Sequence, residues 1–141
     1  NQFKRLNQFI KIRNINRNKI INNLKNNYKW KNQFSFVKVE NKFKPSWFGL
    51  PILIDKKYSS AKKNFLNYLT KKGIENRPII SGNFLNQPAS TFYNFKSTKN
   101  DFKNADEIEE RGFFIGLHTK NIKEVEIKHI ISCLLDIDKF K

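Results

Sequence analysis

The sequence predicts an α+β domain, an antiparallel or mixed sheet covered by helices, and three observations carry that reading. Short apolar runs and helix-period segments follow one another in the order helix, strand, strand, helix, strand, loop, short helix, strand, helix, which is not a regular βαβ alternation. The runs are strand-length, and turn residues bound them. The composition, 38% hydrophobic and 14% aromatic over 141 residues, suits one cored domain and excludes a disordered chain.

Taken in order, residues 1 to about 27 contain no Pro or Gly, and Phe3, Leu6, Ile10, Ile20, Ile21 and Leu24 fall on one helical face. This predicts a long amphipathic helix with a break near Asn14–Asn18, where asparagines weaken it. Alternation over Phe34–Val39 predicts a strand, and Asn41–Pro45 a turn. The run Ser46–Ile54 reads as a buried strand, edge-placed or bulged at Pro51 because proline cannot donate to a ladder. Tyr58-Ser59-Ser60 reads as the start of a second helix with a serine cap, carrying Ala61, Phe65, Leu66 and Leu69 on one face. Lys71 and Lys72 suit its negative end, and Gly73 stops it.

Ile74–Ile80 reads as a strand carrying Arg77, and Asn86–Asn100 as a long polar and aromatic loop. Asn104 with Glu107 reads as a capped short helix ending at Gly112. Phe113–Leu117 is a further buried strand. Asn121 to Glu124 repeats the cap pattern, before a final helix built on Val125, Ile127, Ile130, Ile131, Leu134 and Leu135 and running to about Asp138.

A net charge of +16 invites an anionic partner, nucleic acid or membrane. Residues 1–39 hold ten Lys or Arg and no acid, with Phe3, Phe9, Tyr28 and Trp30 as stacking candidates. The plainer explanation is a solvated basic face over an apolar one, in a composition (Asn, Lys, Ile, Phe) typical of AT-rich coding sequence. One cysteine, Cys133, excludes an internal disulfide. No apolar run approaches the ~20 residues of a membrane span. No signal-peptide core opens the chain, so a cytoplasmic setting is expected. The first residue is Asn, which reads as the cut end of something longer.

No dinucleotide fingerprint, phosphate loop, HExxH or Cys-x-x-Cys occurs. Cys133 reads as a packed thiol, His129 as a surface histidine, and the acids Asp106–Glu110 as turns of a capped helix. The chemistry is expected around Gly73–Pro88. Arg77 interrupts an apolar strand, so it is either ion-paired or faces a cleft. Asn83 follows Ser81-Gly82 in an irregular loop, as a turn residue or a ligand contact. His118 ends a buried strand, at the surface or at a ligand crevice. If Arg77, Asn83 and His118 converged, with Phe84 as a wall, they would suit a polyol or an anion.

Three stretches, Pro45–Ile52, Gly73–Pro88 and Asn104–His118, resemble in order and spacing the DegT/DnrJ/StrS family of pyridoxal-phosphate-dependent nucleotide-sugar enzymes. They look closest to its sugar 3-dehydratase branch. Gln2–Leu6 resembles the helix that leaves the large domain there. Leu117 stands where that branch often has Asn, and Asn86-Gln87-Pro88 is more similar to the aminotransferases and iron–sulfur dehydratases.

The resemblance implies a fragment of the aspartate-aminotransferase fold. Residues 1–30 would be the connecting helix and 31–141 the C-terminal small domain. Pyridoxal or pyridoxamine 5'-phosphate would be bound mainly by a missing N-terminal domain, in a homodimeric parent. Arg77, Ser81, Gly82, Asn83, Phe84 and His118 would face a nucleotide-sugar pocket, with no catalytic residue in this chain. A small nucleic-acid-binding domain using residues 1–39 is the other reading.

Overall fold

The computed structural model describes residues 2–40, 42–96 and 99–140, apart from the side chains of 99 and 100. The expected turn at Asn41–Pro45 and loop at Asn86–Asn100 therefore lie partly outside the described residues. Four helices, α1 (Leu6–Lys25), α2 (Lys62–Lys71), α3 (Lys103–Arg111) and α4 (Glu124–Leu135), accompany one sheet of strands β1 (Phe34–Phe36), β2 (Gly49–Ile54), β3 (Asn76–Arg77) and β4 (Gly112–Gly116). Strand order is β1-β2-β4-β3 and every pairing is antiparallel, as the α+β reading expected.

Helix α1 runs unbroken through Asn14–Asn18, contrary to the expected interruption. The asparagines bond to neighbours instead of competing with the helix. Asn14 Nδ2 donates to the Ile10 carbonyl at 2.9 Å and to Pro45 O at 3.2 Å. Asn16 is fully buried; its Nδ2 donates to His118 O at 3.0 Å and Lys120 O at 2.8 Å, and its Oδ1 accepts from the Ile122 amide at 3.1 Å. Ile20, Ile21 and Leu24 continue that stripe into the core, whereas Phe3 and Leu6 stay exposed.

Pro51 corrects a second expectation, since β2 is central and its pairing with β4 keeps one register from Gly49 to Leu53, with no bulge. Hydrogen-bonding direction alternates along an antiparallel strand. The Leu117 amide bonds to Phe48 O and the Asp55 amide to Gln33 O, so residues 49, 51 and 53 point toward β1. The partner position opposite Pro51 is 37, and β1 has ended at Phe36. The missing donor therefore faces a stretch of β2 that has no β1 neighbour.

Helix boundaries also shift. The chain enters α2 through a 3₁₀ helix at Lys56–Ala61, capped by Asp55, whose side chain accepts from the Lys57 amide; the serines are not the cap. Asn104 lies inside α3, which follows a 3₁₀ turn at Lys99–Phe102 and has Phe102, without a side-chain bond, at its N-cap. The last helix begins after Lys123, whose amide donates to the Glu126 carboxylate at 2.7 Å, not at Asn121. Gly73 ends α2 in the left-handed region as read, at φ 77°. The strand expected over Ile74–Ile80 shrinks to Asn76–Arg77, and Ile80 is exposed.

The core lies between one sheet face (Phe34, Leu50, Ile52, Ile54, Phe113, Ile115) and helices α1, α2 and α4. Phe65 of α2 is its hub, with ring centroids 6.0 Å from Phe34, 6.3 Å from Phe113 and 5.9 Å from Phe140. Cys133 is buried there, while Val125, read as apolar-face, is exposed.

Candidate functional site

Helix α3 leaves directly into β4, and the sequence Arg111-Gly112 makes that junction. Gly112 has no room for a side chain, since a Cβ would lie 2.4 Å from the Ile108 carbonyl oxygen. Arg111 is buried, donating to Ile54 O and pairing with Glu107, which also reaches Lys56. The Lys56 hydrogen bond above all holds the Glu107 carboxyl below its usual range; desolvation opposes it, and Arg111 adds a further lowering. The α3 carbonyls have no intrahelical partner at this end; Lys62 Nζ takes that of Glu109 at 2.8 Å.

Against this junction lies the Ser81–Gln87 loop. Ser81 and Gly82 both adopt positive φ, 70° and 51°, and Gly82 lies flat on the Glu109 side chain. Asn83 is 2% exposed. Its amide donates to Glu109 Oε2 at 3.0 Å, its Nδ2 to Asp106 Oδ1 at 2.7 Å, and its Oδ1 accepts from the Leu85 amide at 3.1 Å. Asn86 Nδ2 reaches both carboxylates, at 3.0 Å and 2.9 Å. The Asn86 and Asn83 hydrogen bonds, in that order, hold the Glu109 carboxyl below its usual range. Phe84 turns outward, its ring near Phe95 and Tyr93 at 5.9 and 6.5 Å.

The structure therefore brings Ser81, Gly82, Asn83 and Phe84 together at the α3–β4 junction. Arg77 sits on the edge strand opposite Phe114, exposed and paired with Glu75 at 2.7 Å, so its guanidinium is partnered at the surface. His118 stands apart. It follows the far end of β4, exposed, accepting from the Lys120 amide on Nδ1 at 2.9 Å beside α1. It lies six positions after Gly112, about 20 Å if that chain is extended throughout. Asn83 and His118 lie at opposite ends of the sheet.

Residue-by-residue reading missed Asn16, Asp106, Glu109 and Arg111 as organising groups. Asn16 had a signal, because it lies four residues before Ile20 on the buried stripe. The two acids had only helix context. Of the nucleic-acid stacking candidates, Phe3 and Tyr28 are exposed, while Trp30 packs on the core with its ring 6.4 Å from Phe34.

No family model matches the chain. Over 118 residues, 83% of this chain, it is 30% identical to GDP-4-keto-6-deoxy-D-mannose 3-dehydratase of Escherichia coli O55:H7. It is 30% identical over 90 residues to the enzyme of that name in Yersinia pseudotuberculosis. The solved E. coli GDP-4-keto-6-deoxy-D-mannose-3-dehydratase with bound hydrated PLP superposes with a TM-score of 0.78 at 28% identity, over 94% of this chain. The chain belongs to the DegT/DnrJ/StrS family. It spans only 29% of the E. coli O55:H7 relative's length and 32% of the solved chain. Helicobacter pylori PseC, an aminotransferase involved in the biosynthesis of pseudoaminic acid, shares the fold at a TM-score of 0.71 and 20% identity.

Within a DegT/DnrJ/StrS fold, a lysine amine set in a closed pocket would be the group to seek for pyridoxal phosphate. Burial lowers the pKa of Lys62, but its ammonium is engaged by the Glu109 carbonyl. Depressions of about 260 and 570 Å³ lie elsewhere, between the end of α1 and α4 and along the first turn of α3.

Proposed function

We propose that this chain is the C-terminal small domain of a pyridoxal- or pyridoxamine-phosphate-dependent enzyme acting on a 4-keto-6-deoxy nucleotide sugar. The reaction is 3-dehydration or transamination, in cytoplasmic deoxysugar or lipopolysaccharide biosynthesis. The observation that carries this reading is the 118-residue alignment with a 3-dehydratase, joined to the fold match over 94% of the chain. The cofactor would supply the electron sink and be held mainly by protein outside this chain. Residues 1–30 would form the connecting helix, residues 31–141 the small domain, and the whole enzyme a homodimer.

This domain's part is to close over the sugar and shape its pocket. The Ser81–Phe84 loop forms one wall, with Arg77 on the neighbouring strand. His118, beyond the far end of β4, would meet a different part of an extended nucleotide sugar.

The test compares two polypeptides, the 141-residue chain and the longer protein that carries it, with GDP-4-keto-6-deoxy-D-mannose and pyridoxamine phosphate. Only the longer one should turn over the sugar. In it, Arg77→Ala should raise KM or lower kcat. Turnover by the 141-residue chain alone would refute the division of roles. Failure of the longer protein on any 4-keto-6-deoxy nucleotide sugar would refute the function.

A further inference from the structure

The Ser81–Asn86 loop is clamped from one side. Asp106 and Glu109 are three residues apart and share a face of α3. Their carboxylates accept hydrogen bonds from the Asn83 amide, the Asn83 side chain and the Asn86 side chain, at 2.7 to 3.0 Å. Bonds to an ionised acceptor are about twice as strong as neutral ones. They hold a turn in which Ser81 has a backbone conformation that a side-chain-bearing residue rarely adopts. Further ties fasten the loop internally, from Gln87 Nε2 to Ser81 O and from Ser90 Oγ to Leu85 O, both 3.1 Å.

Asn83 bonds inward, to the protein. Its backbone donor, one amide proton and its side-chain oxygen are engaged inside the protein, and it is 2% exposed. Ser81 and the Phe84 ring are exposed.

We propose that Asp106 and Glu109 are positioning residues that hold this loop through Asn83 and Asn86, so that Ser81 and Phe84, not Asn83, are the groups it presents to substrate. That the substrate is a nucleotide sugar rests on the function proposed above; the clasp itself does not.

Hydrogen exchange on the 141-residue chain tests the clasp, with the β-sheet amides of Ile52 and Phe113 as internal reference. Asp106→Ala should lower protection of the Asn83 and Leu85 amides about tenfold or more, as expected for loss of a hydrogen bond to a charged group. The sheet amides should keep theirs. Asp106→Asn, which retains an oxygen acceptor, should restore most of the loop protection, as should Glu109→Gln relative to Glu109→Ala. Loop protection unchanged in the two alanine variants would overturn the clasp. If those variants unfold the sheet as well, the amide-for-acid variants decide, and their losing loop protection as fully as alanine would overturn it.

A second readout uses the longer enzyme. Phe84→Ala and Asp106→Ala should raise KM for the sugar nucleotide at unchanged kcat, with Asp106→Asn rescuing. KM unchanged in Phe84→Ala, in an enzyme that turns over the sugar, would overturn the assignment of Phe84. An inactive parent enzyme would sink the functional reading and leave the exchange result standing.

Discussion

Replacing Asn16 by Ala tests how α1 is held to the rest of the domain. The side chain is fully buried and makes three hydrogen bonds to the backbone of residues 118–122, two as donor and one as acceptor. Alanine leaves two carbonyls and one amide without their partner. Each lost bond is worth about 1 kcal/mol, and more where water cannot replace it. His118 and Lys120 are exposed residues, so their carbonyls partly rehydrate, and about 3 kcal/mol is the expected total. Alanine regains about 0.6 kcal/mol of helix propensity over asparagine, leaving a net loss of about 2–2.5 kcal/mol.

The lost bonding should therefore win over propensity by a factor of about four to five. Urea denaturation should show a lower midpoint at unchanged slope. Thermal unfolding should fall by roughly 4–10 °C for a domain of this size. Asn16→Asp should be no better, because it replaces a donor facing two carbonyls with an acceptor. A stability equal to or above the parent's for Asn16→Ala would refute the reasoning, since it would mean that the asparagine is merely a tolerated weak helix former.

Three further outcomes follow from the same structure. Gly112→Ala should cost about 1–3 kcal/mol by denaturant titration, because the new methyl meets the backbone Ile108 carbonyl and not a movable side chain. Arg111→Leu should cost about 3 kcal/mol, the low end for breaking a buried pair, since Glu107 keeps Lys56; a variant as stable as the parent would refute it. Tyr58 should ionise near pH 12, raised from 10.0 by burial first and by the Asp138 hydrogen bond second. Its folded value lies above its unfolded one, so its contribution is complete below pH 10 and is lost as pH rises toward 12. Spectrophotometric titration of the folded protein, with Tyr58→Phe as the difference control, should place the Tyr58 ionisation near pH 12, and its ionisation near pH 10 would contradict the reasoning.

Much of this domain was legible from local pattern. Stripes such as Ile20–Leu24, Phe65–Leu69 and Ile127–Leu134 specify which face of each helix is buried, because side-chain period follows backbone geometry whatever packs against it. Strand-length apolar runs and the stop at Gly73 set the α+β class and the order of elements for the same reason. Caps were less legible, since Asp55, Phe102 and Lys123 took positions that Ser, Asn104 and Asn121 could equally have filled.

The tertiary structure alone decided the rest. Whether Asn16 would break α1 or brace it depended on the carbonyls of residues 118–122, more than a hundred positions away. Pro51 is tolerated in a central strand only because β1 happens to end opposite it. Asn83, read in an irregular loop, and His118, read as a strand end, lie at opposite ends of the sheet because β4 runs between them. Sequence periodicity reports what each segment presents, but partners distant in sequence are chosen by register and packing, and those exist only once the chain has closed on itself.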